Sequence, residues 1–196
     1  MNRRQVLSAS GSLAALALAG CAGTGDGGNW IALFDGKGLE QFNAIGKGSW
    51  RVTSGILEAD DGGPGFLVTR QSFRDFRIRA EFYAEAKTNS GIFIRAQDAN
   101  KITAGNSYEV NIWDTRPDPT YGTGAIVDFA KVSQPYPQAG GRWNTLDITA
   151  RGTRLIVVFN GQTTVDINDG KYASGPIALQ SGGGLIRFRR VLIQPL

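Results

Sequence analysis

Histidine is absent from this chain, and cysteine occurs once. Without an imidazole there can be no Ser-His-Asp triad and no His-rich catalytic zinc site, so acid-base work falls to carboxylates, tyrosine or lysine. A single cysteine leaves no disulfide within the chain. Charge of one sign is not in large excess either, the formal net charge being +4. A nucleic-acid partner calls for a clustered basic stripe, and only the short "RFRR" at 187 to 190 resembles one, so nucleic acid is not an expected partner. The one long apolar run, near the start, is too short to span a bilayer comfortably. Beyond residue 30 no stretch repeats with a helical period.

The run near the start is "MNRRQVLSASGSLAALALAGCAG". A short basic opening, an apolar Ala/Leu segment and small residues before Cys21 read as an export signal. Arg3 and Arg4 resemble a twin-arginine export address. "LAGC" at 18 to 21 resembles a bacterial lipobox, in which Cys21 becomes the lipidated first residue of the mature protein. Residues 1–20 are therefore expected to be removed and 21–29 to form a Gly-rich tether. A single domain then covers 30–196. Removal of the signal leaves 19 basic against 17 acidic residues, a net charge of +2. The expected setting is the bacterial cell envelope, with a monomer lipid-anchored through Cys21 and facing the periplasm.

From Trp30 onward the pattern has period two. Strands are expected at 31–34, 49–52, 55–59, 65–69, 75–84, 90–97, 107–114, 124–128, 143–150, 153–160, 162–167, 175–180 and 185–194. Turn pairs punctuate them: Asp35-Gly36, Ser54-Gly55, Arg151-Gly152 and, strongest, Asn160-Gly161. Many short strands with frequent glycine turns make this an all-β antiparallel sandwich or barrel. Two longer polar connections, 98–106 and 115–123, are the places to look for function. A third, 129–142, adds Tyr136 and two prolines.

Those connections flank "NSGIFIR" (89–95) and "YEVNIWD" (108–114). Alternation along an extended chain puts Gly91, Phe93, Arg95 and Gln97 on one face, and Glu109, Asn111 and Trp113 on one face of the next strand. Ile92, Ile94, Val110 and Ile112 take the opposite, apolar faces.

Eight segments recur in the order of one known family: "WIALFDGKGLEQF", "DFRIRAEF", "NSGIFIR", "YEVNIWD", "GRWNTLDITARG", "VFNGQ", "GPIALQ" and "IRFRRVLIQPL". By these the chain, from Trp30 to Leu196, resembles the 3-keto-disaccharide hydrolase domain. The resemblance implies a concanavalin A-like jelly roll of two stacked sheets that binds carbohydrate on its concave face. It also implies action on glycosides whose sugar C3 hydroxyl has been oxidised to a ketone. Gln180 and Arg189 are carried over from the family pattern as polar residues of the concave face. This chain departs from the pattern in three places: "SGGG" at 181–184 replaces an Asp-His-Gly-like segment, Asn111 replaces Gln, and Arg190 replaces Asn.

A 3-keto group acidifies the hydrogen at C2. Glu109 suits the base that removes it, and Arg95 suits the cation that holds the resulting enolate, because its guanidinium is a permanently charged planar fork. Glu81, on the polar face of "RAEFY", is a candidate second carboxylate. Asn111, Trp113 and Tyr121 are candidate sugar contacts, the aromatic rings because they stack on sugar faces. A different chemistry is also open: family 16 glycoside hydrolases carry E-x-D-x-x-E on a similar jelly roll, and Glu109, Asn111 and Asp114 occupy those positions. A β-bulge would bring Asp114 to the Glu109 face as acid/base of a retaining pair. The missing Asp-His segment leaves a third possibility, a carbohydrate-binding lipoprotein without catalysis. No cofactor and no metal ligand set is expected, although the fold class has room for a structural calcium on backbone and Asp oxygens.

Overall fold

A computed structural model describes residues 28–60 and 62–196. The expected signal, most of the tether and the lipidation residue Cys21 lie outside the described residues. The strands are β1 (Ile31–Phe34), β2 (Phe42–Gly46), β3 (Arg51–Thr53), β4 (Ile56–Ala59), β5 (Gly65–Thr69) and β6 (Phe76–Ala84). They continue as β7 (Ser90–Ile94), β8 (Tyr108–Ile112), β9 (Arg142–Arg151) and β10 (Arg154–Phe159). The last three are β11 (Gln162–Asn168), β12 (Ala178–Ser181) and β13 (Ile186–Pro195). The helical content among the described residues is two single 3₁₀ turns, Ala104–Asn106 and Pro119–Tyr121, one in each long polar connection.

The strands form two antiparallel sheets. The larger runs β11-β10-β9-β6-β13-β4-β3, with β1 added along β13, and the smaller runs β2-β5-β12-β7-β8. This is the expected jelly-roll sandwich. Strict alternation builds it: along β6 every second residue, Phe76, Ile78, Ala80, Phe82 and Ala84, is buried, while Arg77, Arg79, Glu81 and Tyr83 face out. The same rule sends Ile92, Val110, Leu179 and Leu67 of the small sheet into one core with Phe82, Ile148, Val157 and Phe188 of the large one. Burial of a large aliphatic or aromatic side chain contributes about 1.5–3 kcal/mol.

The small sheet has a second apolar layer on its outer side. Val68, Phe93, Ala96, Ile102 and Ala178, with Ile45 and Phe66 against them, form a separate cluster. Ile102 comes from the 95–107 connection, which therefore roofs part of this outer face. Phe66 and Phe93 meet edge to face at 5.2 Å within it.

Three of the four turn pairs close hairpins, whereas Asp35-Gly36 leads from β1 in the larger sheet to β2 in the smaller one. Asn160 and Gly161 both take positive φ (48° and 82°) between β10 and β11, as do Ser54 and Gly55 (50° and 77°) between β3 and β4. Three expectations differ from the structure. β2 forms where the pattern names no strand, "FNAIG" holding only two large apolar residues and a glycine. Residues 124–128 form no strand; they run beside β8 through Asn111 N–H to Ala125 O, Gly124 N–H to Asn111 O and Val127 N–H to Glu109 O. And β7 stops at Ile94 rather than at residue 97, because Arg95 turns into the left-handed region at φ 52°.

Candidate functional site

Register sets the site. In the β7–β8 pair Gly91 stands opposite Asn111 and Phe93 opposite Glu109. On the other side of β7, Ala178 faces Phe93, so one step further along β12 brings Gln180 level with Gly91. Gln180 in turn pairs with Phe66 of β5. Phe66, Gln180, Gly91 and Asn111 thus form one row across the outer face of the small sheet. Val68, Ala178, Phe93 and Glu109 form the next row. Gly91 contributes no side chain, and a Cβ built there would touch Glu109 Cγ at 3.5 Å and Phe93 Cε2 at 3.5 Å. With Val110 O only 3.1 Å from that Cβ position, glycine leaves a narrow niche beside Glu109 that any side chain would fill.

Glu109 is only 8% exposed, and its carboxylate has no hydrogen-bond or ion-pair partner among the described residues. Burial pushes its pKa up to about 7; the positive charge of Arg116 opposes the rise and the negative charge of Asp128 adds to it. A carboxyl poised near neutrality can both take and return a proton. Two acceptors lie in the adjacent row, the one through Gly91. Asn111 is fully buried, its Nδ2 donating to Tyr121 O at 2.6 Å, and its Oδ1 has no partner. Gln180 Oε1 is also buried without one. A buried acceptor left unpaired costs about 1–3 kcal/mol, and a hydroxyl-rich ligand would satisfy both.

The connection after β8 forms the rim. Trp113 is held by its backbone N–H to Thr123 Oγ1 (3.0 Å) and by Nε1 to Thr115 Oγ1 (3.2 Å). The Arg116 guanidinium lies over the Trp113 ring at 5.4 Å, and Lys131 lies over Tyr121 at 5.3 Å. Sequence reasoning singled out this connection but not Arg116; the only signal was its place in that loop, four residues after the end of β8.

Of the residues expected at the site, Glu109, Asn111, Trp113, Tyr121 and Gln180 come together on or beside this face. Four do not. Arg95 is fully buried at the end of the sandwich, donating from Nε and Nη2 to Arg74 O (2.9 and 2.6 Å), from Nη1 to Gly152 O (2.9 Å) and Tyr172 O (3.2 Å), and from Nη2 to Asp75 (3.1 Å). Its positive φ breaks the alternation that was to place it beside Glu109. Asp114 accepts from Thr123 Oγ1 (2.6 Å) and from the backbone N–H groups of Ala139 and Gly140 (2.9 and 2.8 Å). It tethers the 129–142 connection instead of completing a retaining carboxyl pair. Glu81 and Arg189 face out from the large sheet, across the core from Glu109. There they bond to each other at 2.5 Å, with Arg190 3.6 Å from the same carboxylate and Arg189 over the exposed Trp143 ring at 4.7 Å.

Among the described residues no three His, Cys, Asp or Glu side chains gather in a metal-binding group. A surface concavity of about 450 Å³ lies near the β10–β11 hairpin, lined by Tyr136, Arg142, Phe159 and Asn160. None of its lining residues belongs to the Glu109 face.

The sequence over residues 29–194 matches the model of the 3-keto-alpha-glucoside-1,2-lyase-like domain. A 3-keto-disaccharide hydrolase of Bacteroides thetaiotaomicron is 26% identical over 173 residues, covering 72% of this chain and 58% of that protein. This chain thus spans a little under three fifths of the curated relative it matches. A Parabacteroides distasonis protein named as a glycosyl hydrolase superposes with a TM-score of 0.71 at 26% identity, covering 85% of this chain and 99% of that one. The carbohydrate-binding module CBM66 of Bacillus subtilis superposes with a TM-score of 0.62 at 16% identity, covering 79% and 95% of the two chains.

Proposed function

Since this chain belongs to the family of 3-keto-α-glucoside-1,2-lyase-like domains, we propose that it cleaves glycosides bearing a ketone at sugar C3, with Glu109 as the base. The family makes it a carbohydrate-active domain; the keto substrate, the reaction and the residue roles are the proposal. The observation that carries it is the unpartnered, nearly buried Glu109 carboxylate on the niche at Gly91, its pKa pushed up to about 7. Glu109 takes the proton from C2 while the electron pair forms the C2=C3 bond and charge moves to the former carbonyl oxygen. When that pair returns, the C3 carbonyl re-forms, C1=C2 forms and the C1–O bond breaks. The leaving alkoxide takes a proton from Glu109 or water, and the carboxylate is restored. Hydration of the product would make the net reaction a hydrolysis. The free oxygens of Asn111 and Gln180 accept from sugar hydroxyls, and Trp113 offers a stacking surface.

Incubation with paired 3-keto and unoxidised glycosides, followed by NMR, tests this reading. Only the keto compounds should lose their aglycone, and Glu109→Gln should slow turnover by roughly 10²- to 10⁴-fold while still binding them. Cleavage of the unoxidised partners at equal rates would refute the mechanism.

One observation favours a second reading, binding without catalysis. At 182–184 the chain offers only glycine backbone, engaged with Asn89 through Asn89 N–H to Gly183 O (2.8 Å) and Gly182 N–H to Asn89 O (3.0 Å). The end of β12 therefore supplies no second acid or base next to Gln180. Keto-sugar binding without any product would decide for this reading. In either case the domain is proposed to sit on the periplasmic side of a membrane, anchored through an acylated Cys21.

A further inference from the structure

Arg95 cannot be the cation of this site, because its guanidinium is buried at the end of the sandwich on three backbone carbonyls and Asp75. The Glu109 face nevertheless has a cation. Arg116 lies over the ring of Trp113, the residue four positions after Glu109 and on the same face by alternation. The ring is itself fixed, by Thr115 at its Nε1 and by Thr123 at its backbone N–H. Arg116 makes no ion pair within 4 Å among the described residues, although its charge also acts on Asp118 in the same connection. Its positive charge acts on Glu109, against the negative charge of Asp128. An arginine held flat by stacking keeps its donor fork free, whereas a lysine in that place would present a single mobile charge.

We infer that Arg116, stacked on Trp113, is the cation of the Glu109 site and receives the carbonyl oxygen of the bound sugar. The inference rests on the proposed reading for the identity of the ligand. It does not rest on it for the pairing of Arg116 with Glu109. As Glu109 takes up a proton, negative charge passes to the sugar oxygen, and a guanidinium at the rim of the niche is placed to follow it. Asp128 opposes Arg116 at Glu109, so the carboxyl sits between a charge that favours ionisation and one that resists it.

The test uses the full domain with ¹³C-labelled glutamate, the Glu109 resonance being assigned by its loss in Glu109→Gln. Arg116→Gln should move the Glu109 titration up by roughly one pH unit, whereas Arg116→Lys should leave it near the wild-type position. Methyl 3-keto-α-glucopyranoside, titrated into each variant, should bind at least tenfold more weakly to Arg116→Gln. Where the wild type turns the sugar over, that variant should lose roughly 10²-fold, the scale of a removed oxyanion donor, with the acid limb of its pH profile displaced upward. An unmoved Glu109 titration in Arg116→Gln overturns the inference, as does unchanged affinity for the keto sugar. A wild type that binds the sugar without cleaving it refutes the lyase reading alone, and the titration and affinity shifts then still support Arg116 as the partner of Glu109.

Discussion

Arg95→Ala removes a fully buried charged group at the end of the sandwich, and the consequence can be worked from its bonds. The side chain donates five times, to the carbonyls of Arg74, Gly152 and Tyr172 and to Asp75. Burial lowers its pKa below the usual arginine value, with Asp75 pulling the other way, yet a guanidinium this basic stays charged. Truncation to Ala leaves three carbonyl oxygens without these donors and opens a cavity. Each abandoned buried acceptor costs about 1–3 kcal/mol, but such losses overlap and water can enter. The scale for breaking a buried charged pair, about 3–5 kcal/mol, is the better estimate. Against a total stability of roughly 5–15 kcal/mol that is a large share. For a domain of this size it lowers Tm by roughly 6–20 °C. Urea titration and calorimetry of Arg95→Ala and Arg95→Lys measure it. The Lys variant should fall between, because one ammonium cannot reach all of these acceptors, and once folded it should turn over substrate near the wild-type rate. A loss under about 1 kcal/mol in Arg95→Ala, or a catalytic defect in a fully stable Arg95→Lys, would refute the structural account.

The remaining predictions concern Glu109, Gly91 and Cys21. Because the folded pKa of Glu109 is raised to about 7 from an ordinary 4.5, the folded state holds a proton that the unfolded state has released between those values. Its contribution is therefore fully present below pH 4.5, declines as pH rises to about 7 and is lost above. Glu109→Gln should remove that slope and raise stability at pH 8 by up to about 3 kcal/mol, read as Tm against pH; an unchanged slope would contradict the raised pKa. Gly91→Ala places a methyl 3.1 Å from Val110 O and 3.5 Å from Glu109 Cγ. It should cost about 1 kcal/mol of stability and weaken sugar binding more than tenfold, and calorimetric titration showing full affinity would mean the ligand sits elsewhere. Metabolic labelling with a fatty-acid analogue should mark the wild type and not Cys21→Ser; labelling that survives the substitution would end the lipid-anchor proposal.

The sandwich was legible in the sequence because its cause is local. Period-two patterning in "FRIRAEF" and "LIVVF" and left-handed turn pairs such as Asn160-Gly161 act within a few residues, and each names a strand or a hairpin without reference to the rest of the chain. That Glu109 and Asn111 point to one face of β8 followed from the same rule. Register across β5, β12, β7 and β8 could not be read that way, since it depends on residues up to about a hundred positions apart. It alone set Gln180 beside Gly91, and the place of β6 and β13 in the larger sheet put Glu81 and Arg189 on the far side of the core although both face outward as expected. Arg95 marks the boundary most clearly. Alternation assigned it to the Glu109 face, but backbone carbonyls from three distant loops offered its guanidinium more bonds than that face could. One residue in the left-handed region was enough to turn it inward, and the cation we propose for the site is instead Arg116, in a loop whose course only tertiary contacts fix.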